Sequence, residues 1–301
     1  MQKLRIALGF SIAFIAVWIA AFTYIKFFPE NPFPDYTKDV GKVSIVATIY
    51  PLAWLASDLD PSATITTIVG PGIEPHDFSP TIDDGKTMED AELLIVNRMV
   101  DEWVMDAIAD RKGQTVSVME MLGFPSLEDP HVWLDPILAQ QIVKDIGHQL
   151  EIFDPTNTEI IRENVLKKIT ILQGIDDRYR LGLASCSIPE IVSSHDAFGF
   201  LAKRYGFTVH SIAGLSPEDE PSPSKLVELT DLIRSHHITT VFFEELASPA
   251  LAKTLADETG AKTDVLDAIE SLSSEESERL EYPGIMEKNL AKLKAAMVCT
   301  E

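Results

Sequence analysis

Thr64-Ile65-Thr66-Thr67-Ile68-Val69-Gly70-Pro71-Gly72-Ile73-Glu74-Pro75-His76-Asp77-Phe78-Ser79-Pro80 is the stretch on which the reading of this chain turns. Its first six residues are all β-branched and predict a strand, because branched side chains suit a pleated surface. Gly70 to Pro80 cannot continue that strand and form a loop at its carboxyl end. Thr81-Ile82-Asp83-Asp84 then starts a helix, with Thr81 or Asp83 as candidate cap. A histidine, His76, sits in the loop between strand and helix.

The same order recurs on either side. Upstream, the apolar run Val43-Ser44-Ile45-Val46-Ala47-Thr48 suits a buried parallel strand, and Tyr50-Pro51-Leu52-Ala53-Trp54-Leu55 opens a helical period. Downstream, Leu93 to Asn97 is a third strand, Glu102 to Asp110 a helix, and Val116-Ser117-Val118 a fourth strand. Next comes Asp129-Pro130-His131-Val132-Trp133-Leu134-Asp135-Pro136, a loop that runs into a helix over Ile137 to Leu150. Asp154-Pro155-Thr156-Asn157 starts a long helix to about Leu183, with Ile161, Val165, Ile169, Leu172 and Ile175 at core-facing spacing. At 1.5 Å per residue this helix is roughly 40 Å long, enough to act as a strut between two lobes.

Beyond it the pattern repeats. Glu190 to Ser194 is a strand leading into His195-Asp196-Ala197-Phe198, where a histidine again ends a strand and begins a helix. Thr208 to Ile212, Thr239 to Phe243 and Thr263 to Leu266 are further strands, alternating with helices over Lys225 to Ser235 and Pro249 to Glu258. Glu287 to Met297 closes the chain as an amphipathic helix. Strand alternating with helix predicts an α/β fold of two lobes, each a mainly parallel sheet flanked by helices, joined by one long backbone helix. Ligand sites in such sheets lie at the carboxyl ends of the strands.

Composition bounds what such a molecule can do. The chain has 301 residues, 46% hydrophobic and 24% charged, which is ordinary for a globular protein of one large or two modest cores. Its net charge of -22 disfavours nucleic acid and favours cations around any cleft. Lys3 and Arg5 precede an apolar run from Ile6 to Ile25 that ends at Lys26. About twenty apolar residues suffice to cross a bilayer, and positive charge on the amino side places the remainder outside the cytoplasm. Ile19-Ala20-Ala21 is a poor cleavage site and no cysteine follows the run. An uncleaved transmembrane anchor is therefore favoured over a cleaved or lipidated leader. The expected organisation is an anchor or signal segment over 1–28 and a proline- and acid-rich spacer over 29–42. A lobe over 43–152, a linking helix over 153–184 and a second lobe over 185–301 follow. Only two cysteines occur, Cys186 and Cys299, and in an oxidising compartment such a pair is expected to be bridged. Their spacing supports no thiolate metal site.

Three histidines, His76, His131 and His195, and one carboxylate, Asp267, thus lie in loops after predicted strands, two in each lobe. Three imidazoles with a carboxylate suit a borderline divalent cation such as Zn²⁺, or Mn²⁺ when the carboxylate binds through both oxygens. The other histidines have plainer readings: His148 in a helix, His210 in a strand, His236 and His237 at a helix end.

From residue 43 to 297 the chain resembles the metal-binding solute-binding proteins of ABC importers for zinc and manganese, the ZnuA/TroA-like family. The segments that carry the resemblance are Ile49-Tyr50-Pro51, Glu74 to Pro80, Asp129 to Pro136 and Ser194 to Phe198. Gly214-Leu215-Ser216-Pro217-Glu218, Glu220-Pro221-Ser222-Pro223, Phe242-Phe243-Glu244 and Thr259-Gly260-Ala261-Lys262 continue it in the same order. The resemblance implies two lobes on one long helix and a single metal held between them by His76, His131 and His195. It places Asp267 at the carboxylate position and Glu244 as a group that supports the ligands or substitutes for one. It also implies delivery to an ABC permease in the cytoplasmic membrane. Two departures stand out. Zinc-specific members often carry a long histidine-rich loop before the Asp-Pro-His motif, where this chain has only Leu122 to Glu128. Manganese-selective members usually carry glutamate where this chain has His195, which favours zinc. The expected activity is extracytoplasmic capture of one zinc ion without catalysis. No His-Glu-x-x-His helix or phosphate-binding Gly-rich loop is present. A surface adhesin on the same fold and a three-histidine zinc hydrolase are the alternatives.

Overall fold

A computed structural model of the chain describes residues 42–108, 111–124, 129–217, 219–244, 246, 248–272 and 281–300, without the side chain of Asp106. The expected anchor, and all of the spacer except Lys42, lie outside the described residues. Among those described, no helix is long and apolar enough to cross a membrane.

Two four-stranded parallel sheets organise the molecule. The first comprises β1 (Ser44–Ala47), β2 (Thr64–Thr67), β3 (Leu93–Val96) and β4 (Gln114–Ser117), in the order β2-β1-β3-β4. The second comprises β5 (Glu190–Ser193), β6 (Thr208–Ser211), β7 (Thr240–Phe243) and β8 (Lys262–Val265), in the order β6-β5-β7-β8. The two orders match strand for strand, so the second half repeats the topology of the first. In each sheet the strand order reverses beside the first strand, which opens a crevice at its carboxyl end. Central strand β3 is buried along its length, which is why Leu93-Leu94-Ile95-Val96 reads as one apolar run.

Helices α1 (Tyr50–Ala56), α2 (Ile82–Asp90), α3 (Val104–Ala107) and α4 (Val118–Met121) accompany the first sheet. Thr81 caps α2: its hydroxyl accepts from Asp84 N–H while the Asp84 carboxylate accepts from Thr81 N–H at 2.8 Å. Val118 turns out to open α4, not to extend a strand, because Ser117 Oγ accepts from Glu120 N–H and starts a helical turn. The helix expected over Glu102 to Asp110 starts later, at Val104, because a turn precedes it; residues 109 and 110 lie outside the described residues. The buried Asp101 carboxylate accepts from the backbone N–H groups of Asn97 and Arg98 and from the Thr48 hydroxyl.

The chain leaves the first sheet through α5 (Pro136–Phe153) and α6 (Thr158–Gly182), an antiparallel pair. Asp154 turns one into the other, its carboxylate accepting from Thr156 N–H, the Asn157 amide and Ser62 Oγ. At Gly147 a Cβ would lie 2.4 Å from Val165 Cγ2, so only glycine lets the helices approach this closely. Ile161, Leu172 and Ile175 of α6 are fully buried, each contributing on the order of 1.5–3 kcal/mol. Helices α7 (Gly199–Tyr205), α8 (Pro223–Ser235), α9 (Ala250–Thr259) and α10 (Tyr282–Ala296) accompany the second sheet. The last begins five residues before the sequence suggests, since Pro283 suits a first helical turn.

One apolar core runs through both lobes and includes Ile45 and Ile95 of the first sheet, Leu172 and Ile175 of α6, and Ile191 and Phe242 of the second sheet. Tyr282 joins the halves: it stacks on Trp54 at 4.6 Å, and its hydroxyl donates to the Trp133 carbonyl. Cys186 and Cys299 form a disulfide that ties the entrance of the second lobe to the segment after α10. Backbone bonds from Ser187 N–H to Val298 O and from Thr300 N–H to Ser185 O flank it.

Candidate metal centre

His76 follows β2 in a loop pinned to the opposite lobe. Gly72, at φ 77° where a side chain would be strained, donates its N–H to Leu272 O at 2.7 Å, and Ser271 Oγ donates to Gly70 O. Trp103 Nε1 donates to Pro75 O, closing the loop from its own lobe. His131 is held more tightly. Asp129 Oδ1 accepts from its backbone N–H at 2.9 Å and faces its Nδ1 at 2.7 Å, while Asn97 Nδ2 donates to Pro130 O. Nε2 of His131 is thereby turned inward, as expected where a carboxylate fixes the tautomer of a ligating imidazole. His195 follows β5 and has a partner of the same kind: its Nδ1 faces Glu244 Oε1, which also accepts from Ser194 Oγ.

The fourth group is Glu270, not Asp267. Glu270 Oε1 lies 2.6 Å from His131 Nε2 and 3.4 Å from both His195 Nε2 and His76 Nε2. One atom from each of these four residues lies within 4.8 Å of the others. Asp267 stands nearer the end of β8, but its Oδ1 accepts from Ile269 N–H at 2.7 Å and its backbone is bonded to the Asn289 amide. That turn holds Ile269 at φ 59°, a strained conformation for a β-branched residue, and delivers the next side chain into the centre. Asp267 thus shapes the loop and Glu270 occupies it. Trp133 Nε1 donates to Ala268 O at 2.7 Å, so an indole two residues from His131 braces the loop carrying Glu270 from across the lobes.

Charge in this pocket is strongly coupled. His131, His195 and Glu270 are almost wholly buried, and burial opposes every charge there. For His131 that opposition is outweighed by Asp129 and Glu270, and its pKa is raised to about 9. For His195, Glu244 and Glu270 overcome burial and hold the pKa well above the imidazole value. Three imidazoles in turn hold Glu270 well below the carboxylate range against its burial. Burial, reinforced by the charge of Glu270, pushes Glu74 up to about 8. His76 Nε2 is buried yet has no hydrogen-bond partner, although Glu270 Oε1 is 3.4 Å away. An ion among the four would satisfy it. Three imidazole nitrogens and a carboxylate oxygen within 4.8 Å of one another are a donor set that Zn²⁺ takes.

Sequence reading placed the three histidines and missed Glu270, and did not single out Asp129 or Glu74. The first Asp of Asp-Pro-His was the available signal, since a carboxylate two residues before a histidine can reach its ring. Glu270 gave none, because its position depends on the left-handed turn at Ile269.

Known proteins share this chain's sequence and fold. Residues 45–296 match the profile of a family described as ZnuA, zinc-uptake complex component A, periplasmic. The chain is 36% identical over 281 residues to the high-affinity zinc uptake system protein ZnuA of Bacillus subtilis, covering 85% of this chain and 88% of that one. It is 35% identical to the zinc-binding lipoprotein AdcA of Streptococcus pneumoniae, over 84% of this chain and 56% of AdcA. The crystal structure of the Zn(II)-bound ZnuA-like domain of AdcA superposes with a TM-score of 0.74, covering 85% of this chain and 99% of that domain. The laminin-binding protein Lmb of Streptococcus agalactiae, described as having adhesin and metal-transporting activity, superposes with a TM-score of 0.76 at 26% identity, over 85% and 99% of the two chains.

Proposed function

Because the chain belongs to the ZnuA family of zinc-uptake components, we propose that it captures one Zn²⁺ ion outside the cytoplasm and delivers it to an ABC permease in the membrane. The observation that carries this reading is the meeting of His76, His131, His195 and Glu270 within 4.8 Å, two groups from each lobe. These four are the proposed ligands, with Asp129 orienting His131 and Glu244 orienting His195. The ion is cargo: nothing is transformed, and the chain is not an enzyme. Three imidazoles favour zinc over manganese, which prefers more oxygen donors.

The proposed location follows from the apolar run Ile6 to Ile25, which we assign as the tether. The two cysteines of this sequence are bonded to each other and neither is available for lipid attachment. Protein released from membranes by carbonate washing, or a mature amino terminus beyond residue 25, would overturn the tether.

Equilibrium dialysis with metal analysis tests the site. The protein should retain one zinc per chain, and His131→Ala should lose more than about 100-fold in affinity, beyond what loss of an orienting group alone costs. Full retention by that variant would exclude His131 as a ligand. Adhesion is a second reading, resting on the likeness to Lmb. Equal binding of immobilised laminin by zinc-loaded and zinc-free protein would favour it.

A further inference from the structure

A second cluster of imidazole and carboxylate side chains, paired as ions, lies outside this centre. Glu190 opens β5, and His210 lies on the neighbouring strand β6, where it pairs with Val192. His236 caps the carboxyl end of α8. His210 Nε2 is 2.9 Å from Glu190 Oε2, and His236 Nδ1 is 2.9 Å from that same oxygen and 3.0 Å from Oε1. Two imidazoles from different elements thus present ring nitrogens to one carboxylate.

We propose that His210, His236 and Glu190 form a second, weaker site for a divalent transition metal, zinc by its chemistry, on the surface of the second lobe. Two imidazole nitrogens and a carboxylate are three donors of the kind zinc takes, and solvent supplies the rest. The side chains of His210, Glu190 and His236 are 23%, 24% and 47% exposed, so an ion reaches them directly. Glu190 is available as a donor: burial opposes its charge, but the two histidines outweigh burial and hold its pKa below the usual value. The site is separate from the deep centre, because Glu190 begins β5 while His195 follows its other end. It is also looser, being arranged around one oxygen instead of closed on a common point, and His236 must swing inward as the ion enters. Weaker binding and faster exchange follow. The inference goes beyond zinc delivery and does not depend on it.

Calorimetric titration of the full chain with Zn²⁺ near neutral pH tests the proposal. The expected result is one tight equivalent followed by one weaker equivalent. His236→Gln and His210→Gln, both at partly exposed positions, should each weaken the second phase by about 10-fold or more and leave the first unchanged. His131→Ala should remove the first phase and leave the second. A single equivalent in the unaltered protein, or a weak phase that neither glutamine variant changes, would show that the cluster is only an ion pair. Loss of the tight phase alone bears on the deep centre.

Discussion

Asp129, Glu244 and Glu270 overcome the cost of burying charge and raise the pKa of both His131 and His195. A group whose pKa is higher folded than unfolded adds stability that is complete below the unfolded value and is lost as pH rises through the folded value. For His131 the window runs from 6.5 to about 9, and for Glu74, kept neutral by burial, from 4.5 to about 8. All three groups act in the same direction. The metal-free protein should therefore melt at progressively lower temperature as pH rises from 6.5 to 9, whereas the zinc-loaded protein, in which the ion has replaced the imidazole protons and only Glu74 still titrates, should decline less. Scanning calorimetry of both forms reads the difference, and a flat or rising metal-free curve would mean the imidazoles are neutral. His76 and His195 were legible because each sits in a loop after a β-branched or apolar strand, and His131 because Pro130 and Pro136 mark a loop that runs into a helix. The carboxylate was not. Asp267 is closest to the strand, and nothing in Asp267-Ala268-Ile269-Glu270 announces that an isoleucine adopts a left-handed turn.

At the scale of elements, strands, long helices and the seven-residue α1 were legible from periodicity, whereas the four-residue helices α3 and α4 were not. The β-branched Thr64 to Thr67 and the apolar Leu93 to Val96 form strands as read, and α6 runs over Thr158–Gly182. Val118 and the span after Glu102 were misread because side-chain hydrogen bonds from Ser117 and Asp101 set the local turns, and such bonds have no period. The Cys186–Cys299 bond, separated by 113 residues, is the covalent join of the second lobe. On the chain-entropy model a closed loop of this length stabilises by about 4–5 kcal/mol. Reduction, or Cys299→Ser, should lower the urea midpoint accordingly, with the zinc site still formed in the folded fraction. An unchanged midpoint would show that the unfolded chain gains little freedom when the bond is cut.

For the molecule as a whole, two repeated sheets were predictable from strand–helix alternation, but the continuity of their core was not. Ile95, Leu172 and Phe242 belong to a single apolar cluster, and Trp133 and Tyr282 bond across the lobes. Wide opening about α6 would expose that cluster to water, so ion exchange has to proceed through loop movement near His76, the proposed ligand least covered by protein. The four donors come one from each of four loops distributed across both sheets. Neither lobe alone assembles more than two of the four, so a chain cut between the lobes loses the deep centre and its tight hold on the ion. Proteolysis between the lobes therefore releases the tightly held ion, and high-affinity scavenging resides only in the two-lobed molecule.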